Sequence, residues 1–238
     1  MANGKSLAKA DANIKKNRLL VTIAGNVDVK SLEKLYTDIR FCVADLKEGF
    51  EVISDISQCN LIYITGMPVY KKIIDFLIAN KVGAIVRIIK NNNVSFRQVV
   101  NFSEKIHCYR TVYADSKEEA ERKLEQLVRR DGLRFQLNTI ELRYEHNNQV
   151  GTGTMVDVSV SGCAVENPSL PLAEGDDIVI TCNFDQQDTF PSEFRMKARV
   201  VRSNEHLFAA HFSELDEEGR AQLYKRLAFE VSRIPFFL

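Results

Sequence analysis

The sequence predicts a two-part chain: an α/β unit built on a mainly parallel sheet, then a mainly β unit closed by a helix. Three observations carry this reading. Apolar runs alternate with helical periodicities from Arg18 to Val128. After Gly132 the texture changes to six short β-prone runs separated by turn residues. A last amphipathic pattern starts near Asp216 and stops before Pro235. A chain of 238 residues is long enough for two modest domains.

In the first half, Leu19 to Ala24 is a compact apolar run that reads as a strand. Asp28 is placed to cap a helix whose Leu32, Leu35, Tyr36, Ile39, Val43 and Leu46 recur at helical spacing. Phe50 to Ile56 is the next strand, and Leu61 to Thr65 a short apolar run after it. Tyr70, Ile73, Ile74, Leu77 and Ile78 line a second helix. Val82 to Ile89 is a β-branched strand ended by three asparagines. Phe96, Val99, Val100, Phe102 and Ile106 suggest a third helix, and Tyr109 to Tyr113 a fourth strand. Ser116 with Glu119 three residues later forms a capping box for a helix that turns Ala120, Leu124, Leu127 and Val128 inward. Strand–helix alternation means βαβ units, and near-continuous apolar strands fit burial on both faces. The polar, small-residue-rich stretch 1–17 reads as a mobile tail.

In the second half the strand candidates are Thr139–Tyr144, Gly151–Asp157, Gly162–Glu166, Asp177–Cys182, Phe194–Arg202 and Leu207–Phe212. His146-Asn147-Asn148, Asn167-Pro168, Glu174-Gly175-Asp176 and Ser203-Asn204 are the turns. That spacing indicates antiparallel strands in a small barrel or sandwich. The closing helix presents Leu223, Tyr224, Leu227, Ala228 and Val231 on one face.

Bulk properties exclude several functions. The 32 basic and 32 acidic side chains cancel, whereas a protein that lives on phosphate backbones carries a basic excess; DNA and RNA are not expected partners. No apolar run approaches the roughly eighteen residues of a membrane span, and the N-terminus lacks a signal-peptide core. Five scattered cysteines without a CxxC pair fit reduced thiols in a cytoplasm, not a disulfide frame or a zinc site. His107, His146, His206 and His211 show no ligand spacing. With no phosphate loop and no nucleophile–base set, the chain does not read as an enzyme, and no metal or cofactor is expected.

Two stretches carry chemistry. Arg130-Asp131-Gly132-Leu133-Arg134 sets two guanidiniums four residues apart, and Asp157-Val158-Ser159-Val160-Ser161-Gly162 sets a carboxylate and a hydroxyl two apart before a glycine. In order and spacing they resemble the RxxxR and [D/N]xSxxG motifs of the PilZ domain, a bacterial receptor module for cyclic di-GMP. Each motif is short. Arg195-Met196-Lys197-Ala198-Arg199 repeats the first, and is read as a solvated or salt-bridged strand face; Asp55 to Asn60 nearly repeats the second. Conjunction gives the pair its weight, because the two stand at the family's separation before a barrel and a terminal helix. Leu172 to Ile180, Ala198 to Arg202 and Phe208 to Phe212 also look like segments of that family. The resemblance implies a six-stranded barrel with a C-terminal helix and a cyclic di-GMP site. Arg130 and Arg134 would clamp guanines and phosphates, with Arg129 as a third guanidinium. Asp157 would take the guanine donor edge, Ser159 would bond base or phosphate, and Gly162 would permit a tight turn and close backbone approach.

The first half resembles, in length and alternation, the STAS domain of anti-sigma factor antagonists, where a phosphorylatable Ser or Thr begins the second helix. Thr65 is the one candidate at that place; its plainer reading is a turn threonine before a helix. A response-regulator receiver is excluded, since Gly25-Asn26-Val27-Asp28 stands where its acidic pair belongs. The sequence therefore divides into a tail (1–17), a STAS-like domain (18–128) and a PilZ domain (129–238) whose residues 129–135 form a hinge. The expected protein is a cytoplasmic cyclic di-GMP effector with a protein partner of unknown identity. The alternative is a ligand-independent interaction module, switched through Thr65 phosphorylation.

Overall fold

The computed structural model describes residues 6–90, 109, 111–128, 132–137, 140–185 and 190–233. The chain divides into two compact units that meet in sequence between Leu133 and Arg134.

The first unit is a five-stranded sheet in the order β1-β2-β3-β4-β5. Its strands are β1 (Leu7–Asn13), β2 (Arg18–Val27), β3 (Glu51–Ile62), β4 (Ala84–Ile88) and β5 (Val112–Ala114). β2 to β5 pair in parallel, and β1 pairs antiparallel with β2 from Leu7↔Ala24 to Asn13↔Arg18. The sheet is thus mixed, and the stretch read as a mobile tail supplies an edge strand over Leu7–Asn13. Its alternation of alanine with Lys9 and Asp11 makes only a weak apolar face, so propensity does not announce a strand. Pairing against the buried β2 supplies the template. The hairpin closes through a short 3-10 turn, Ile14–Lys16, where the Asn13 side chain accepts from the Lys16 N–H and Asn17 takes φ 48°.

Helices α1 (Val29–Ala44) and α2 (Met67–Ala79) connect parallel strands, and α3 (Lys117–Val128) follows β5. Asp28 caps α1 as expected, accepting from the Ser31 N–H at 2.8 Å. The capping box opens α3: Ser116 Oγ accepts from the Glu119 N–H, and Glu119 accepts from the Asp115 N–H. The two apolar runs read between Phe50 and Thr65 form one strand, β3, which ends in a 3-10 turn, Ile64–Gly66, before α2. Val86 and Ile88 pack with Ala120 and Leu124 of α3. Arg87, between them, points to the other face, where its guanidinium lies 5.8 Å from the Tyr70 ring of α2. Helices therefore cover both faces. The third helix expected from Phe96, Val99, Val100, Phe102 and Ile106 lies outside the described residues.

The second unit is a closed barrel in the order β10-β11-β8-β7-β6-β9. Its strands are β6 (Glu141–His146), β7 (Gln149–Val158), β8 (Gly162–Glu166), β9 (Asp177–Asn183), β10 (Glu193–Ser203) and β11 (Leu207–Phe212). All pairings are antiparallel. Asn147 and Asn148, both at positive φ, turn β6 into β7, the backbone sense that a two-residue hairpin requires. Closure leaves no free edge, and alternate residues such as Leu142, Tyr144, Met155, Val165, Ile180 and Phe208 fill the interior. Helix α4 (Glu217–Ser232) follows, capped by Asp216 through the Gly219 N–H.

Candidate functional site

Strand pairing places Arg134 against Asp157. Beyond Gly132, whose φ of 105° favours glycine, the chain runs alongside the end of β7. The Phe135 N–H donates to the Val158 carbonyl at 2.7 Å and the Val158 N–H returns to Phe135 at 2.9 Å. Phe135 is fully buried and meets the Tyr224 ring of α4 edge-on at 5.4 Å. This apolar anchor fixes its neighbour Arg134 at the barrel end.

A change of register on the other side aims Asp157. β7 and β8 pair Met155↔Val165 but then Asp157↔Ala164, so the ladder slips by one residue at Val156. Such a bulge turns the following side chains away from the strand's alternation. Val158 then takes the inward position and Asp157 faces Arg134. The Arg134 Nη1 donates to Asp157 Oδ1 at 2.5 Å. The carboxylate side is 9% exposed and the guanidinium 32%, so the pair has a buried acceptor and a solvent-facing donor. Arg134 makes no other side-chain hydrogen bond among the described residues, which leaves Nε and Nη2 available.

Ser159 and Gly162 are placed differently. Ser159 is fully buried, and its hydroxyl stays within the β7–β8 turn. It donates to the Gly162 carbonyl, receives the Ser161 N–H at 3.2 Å and contacts Ser161 Oγ at 3.1 Å. Gly162 sits opposite His211 on β11. A Cβ there would run into the Ala210 carbonyl oxygen, so glycine is needed for close strand approach; its φ is not positive. Arg129 and Arg130 lie outside the described residues.

The second RxxxR pair stands on the outer barrel wall. Arg195 pairs with Glu145 at 3.0 Å, and Arg199 meets Asp177 through Nε and Nη2, each at 2.9 Å. The Arg199 hydrogen bond holds the Asp177 carboxyl below its usual range. A groove of about 1000 Å³ runs past Glu145, Asp177 and Arg199, with His146 and His211 in its lining. Its charges answer each other and its lining holds neither Arg134 nor Asp157, so the motif pair remains the better candidate.

Thr65 is exposed in the 3-10 turn before α2, beside Tyr63 and Ile64, which are 45% and 65% exposed. The chief surprise is Arg226 of α4, fully buried within what reads as an apolar helix face. Its Nη2 donates to the Asp185 carbonyl at 2.7 Å and pairs with Glu230 at 2.6 Å, while the guanidinium lies 4.9 Å from the Phe184 ring. Its i,i+4 spacing from Glu230 was a readable signal for the ion pair, though not for the burial. Among the described residues, no group of three His, Cys, Asp or Glu could hold a metal ion, and no helix is long and apolar enough to cross a membrane.

Residues 128–230 match the PilZ domain family. Among solved structures, the PilZ domain of CeSA from a cellulose-synthesizing bacterium is similar at 17% identity, covering 42% of this chain and 98% of that one, with a TM-score of 0.33. The unphosphorylated anti-sigma factor antagonist SpoIIAA is similar at 12% identity over 51% of this chain and 98% of that one, TM-score 0.37. The Borreliella burgdorferi PlzA protein in complex with c-di-GMP is similar at 12% identity over 50% of this chain and 60% of that one, TM-score 0.29. No curated protein matches.

Proposed function

From the premise of a PilZ domain over residues 128–230, we propose that the protein is a cyclic di-GMP-binding effector, a receptor and not an enzyme. The observation that carries this is the Arg134–Asp157 pair at the barrel end. Guanine offers O6 and N7 as acceptors on one edge and N1–H and N2–H as donors on another. A guanidinium fork matches the first edge and also answers phosphate charge. A carboxylate matches the second. One Arg and one Asp held together can therefore read complementary edges of guanine, and the free Nε and Nη2 of Arg134 can engage a base or phosphate without first breaking the pair. Arg129 and Arg130, four or five residues upstream, supply the remaining positive charge. Ser159 and Gly162 act by shaping the turn that presents Asp157.

The further step is coupling. The chain leaves one unit and enters the other between Leu133 and Arg134. Ligand held by Arg134 and the arginines upstream of it would select particular arrangements of the two units, by as much as its affinity for them differs, and so alter binding of a protein partner. Calorimetry with cyclic di-GMP tests the receptor reading: the wild type binds and Arg134→Ala loses most of its affinity. Full affinity in the variant sinks the site, and no binding by the wild type favours a ligand-independent module. Small-angle scattering with and without the dinucleotide tests the coupling, which an unchanged profile would refute.

Thr65 supports a second reading. Its exposed hydroxyl, at a helix start and flanked by Tyr63 and Ile64, suits phosphorylation that controls partner docking. Thr65→Glu should change partner binding; an unchanged interaction ends this reading.

A further inference from the structure

β1 is an edge of the first unit's sheet. One side of the strand pairs with β2; among the described residues no strand pairs with the other side, where the Ala12 N–H is turned toward Cys42 of α1 and the remaining outward groups are the arrangement that templates pairing with another chain. We infer that this edge joins a second copy of the same chain through antiparallel β1–β1 pairing about a two-fold axis at Ala10, making one continuous sheet of two five-stranded halves.

Charge and length fix that register independently. Across a two-fold axis, antiparallel strands can pair only in registers where the two partner numbers sum to an even value, because outward-facing backbone groups alternate along the strand. With Ala10 opposite its symmetry mate, Lys9 faces Asp11 of the second copy, and Asp11 faces Lys9. Opposite charges directly across a ladder stabilise it. Moving the axis to Lys9 sets Lys9 against Lys9, and moving it to Asp11 sets Asp11 against Asp11. Only the Ala10 register among these pairs unlike charges. Ala10 is also the midpoint of Leu7–Asn13, so the same register leaves no strand residue unpaired.

The side chains suit the arrangement. Lys9 and Asp11 share the exposed face of β1, their side chains 50% and 60% accessible, and already meet each other at 3.0 Å. A second copy would extend this pair into a four-charge cluster of alternating sign. Ala8, Ala10 and Ala12 occupy the half-buried face and place no bulk in the way. β1 has neither proline nor bulge, and its two charges are complementary under the symmetry a dimer would impose.

Sedimentation of the full chain across the micromolar range tests the inference. The wild type should show a monomer–dimer equilibrium. Lys9→Asp alone and Asp11→Lys alone each replace two unlike pairs with two like ones, and each should weaken association by about tenfold or more. An equimolar mixture of these two variants should associate again, because one carries only acidic and the other only basic charges on the edge. The double exchange K9D/D11K restores complementarity within one chain and should dimerise like the wild type. Circular dichroism checks that each variant is folded, and if a single variant is not, the double exchange carries the test alone. A monomeric wild type, single variants that dimerise normally, or a double exchange that does not would each overturn it.

Discussion

Arg134→Ala should destabilise the barrel more than Asp157→Ala does, although both remove the same hydrogen bond. The asymmetry follows from where each partner sits. Asp157 is 9% exposed and Arg134 32%. Deleting the carboxylate leaves a guanidinium that water can reach, so the loss approaches the worth of one charge-assisted hydrogen bond with a solvated donor, about 1–2 kcal/mol. Deleting the guanidinium leaves a carboxylate shielded by the barrel wall with no partner, which costs about 3 kcal/mol. The double variant R134A/D157A should be no less stable than Arg134→Ala, because removing the stranded charge relieves its penalty. Urea unfolding of the full chain, followed by tyrosine fluorescence and far-ultraviolet dichroism, yields the three differences. Equal single effects, or a double variant at the sum of the two, would refute the account of Asp157 as a buried acceptor that depends on Arg134.

Other outcomes follow from the same geometry. Gly162→Ala drives a methyl into the Ala210 carbonyl and should lower stability by about 1–3 kcal/mol in the same unfolding assay. Phe135→Ala empties a fully buried site at a cost of about 3–5 kcal/mol, and should also weaken dinucleotide binding by loosening Arg134. The Asp28 carboxyl is held below its ordinary 3.8, chiefly by the Ser31 backbone hydrogen bond. Its contribution is therefore complete above that value and lost as pH falls through the lower folded value; Asp28→Ala should flatten the acid limb of a melting-temperature profile. Burial pushes the Cys59 thiol up to about 11 and Cys182 to about 12, and holds Cys163 well above its usual range. Under native conditions iodoacetamide should reach Cys42 before these three, as mass spectrometry of the labelled chain would show.

The elements legible in the sequence are those whose local chemistry agrees with their surroundings. Asp28, Ser116 and Asp216 each cap the helix that their positions predict, and the Asn147-Asn148 turn forms because asparagine tolerates left-handed backbone. The six barrel strands appear where alternation and turns place them. β1 was illegible because an alanine-rich alternation acquires strand character only from β2. The burial of Arg226 was illegible because the Phe184 ring and the Asp185 carbonyl that receive its guanidinium come from a distant loop. At the candidate site, residue types and spacing identified Arg134 and Asp157, but the means of bringing them together could not be read. The slip at Val156 and the Phe135–Val158 bridge depend on strand register, which neither short motif encodes.

The inward commitment of Ser159 and Gly162 bears on how such motifs should be interpreted in other chains. Of the three fixed letters in Asp-x-Ser-x-x-Gly, two are needed to close the turn and seat β8 against β11, whatever the barrel binds. They would persist under selection for foldability alone in a lineage that had lost its ligand. On the proposed receptor reading, the ligand-specific content falls to the aspartate and to an arginine 23 residues earlier, so a chain that kept serine and glycine but varied those two would keep the turn and lose the pair.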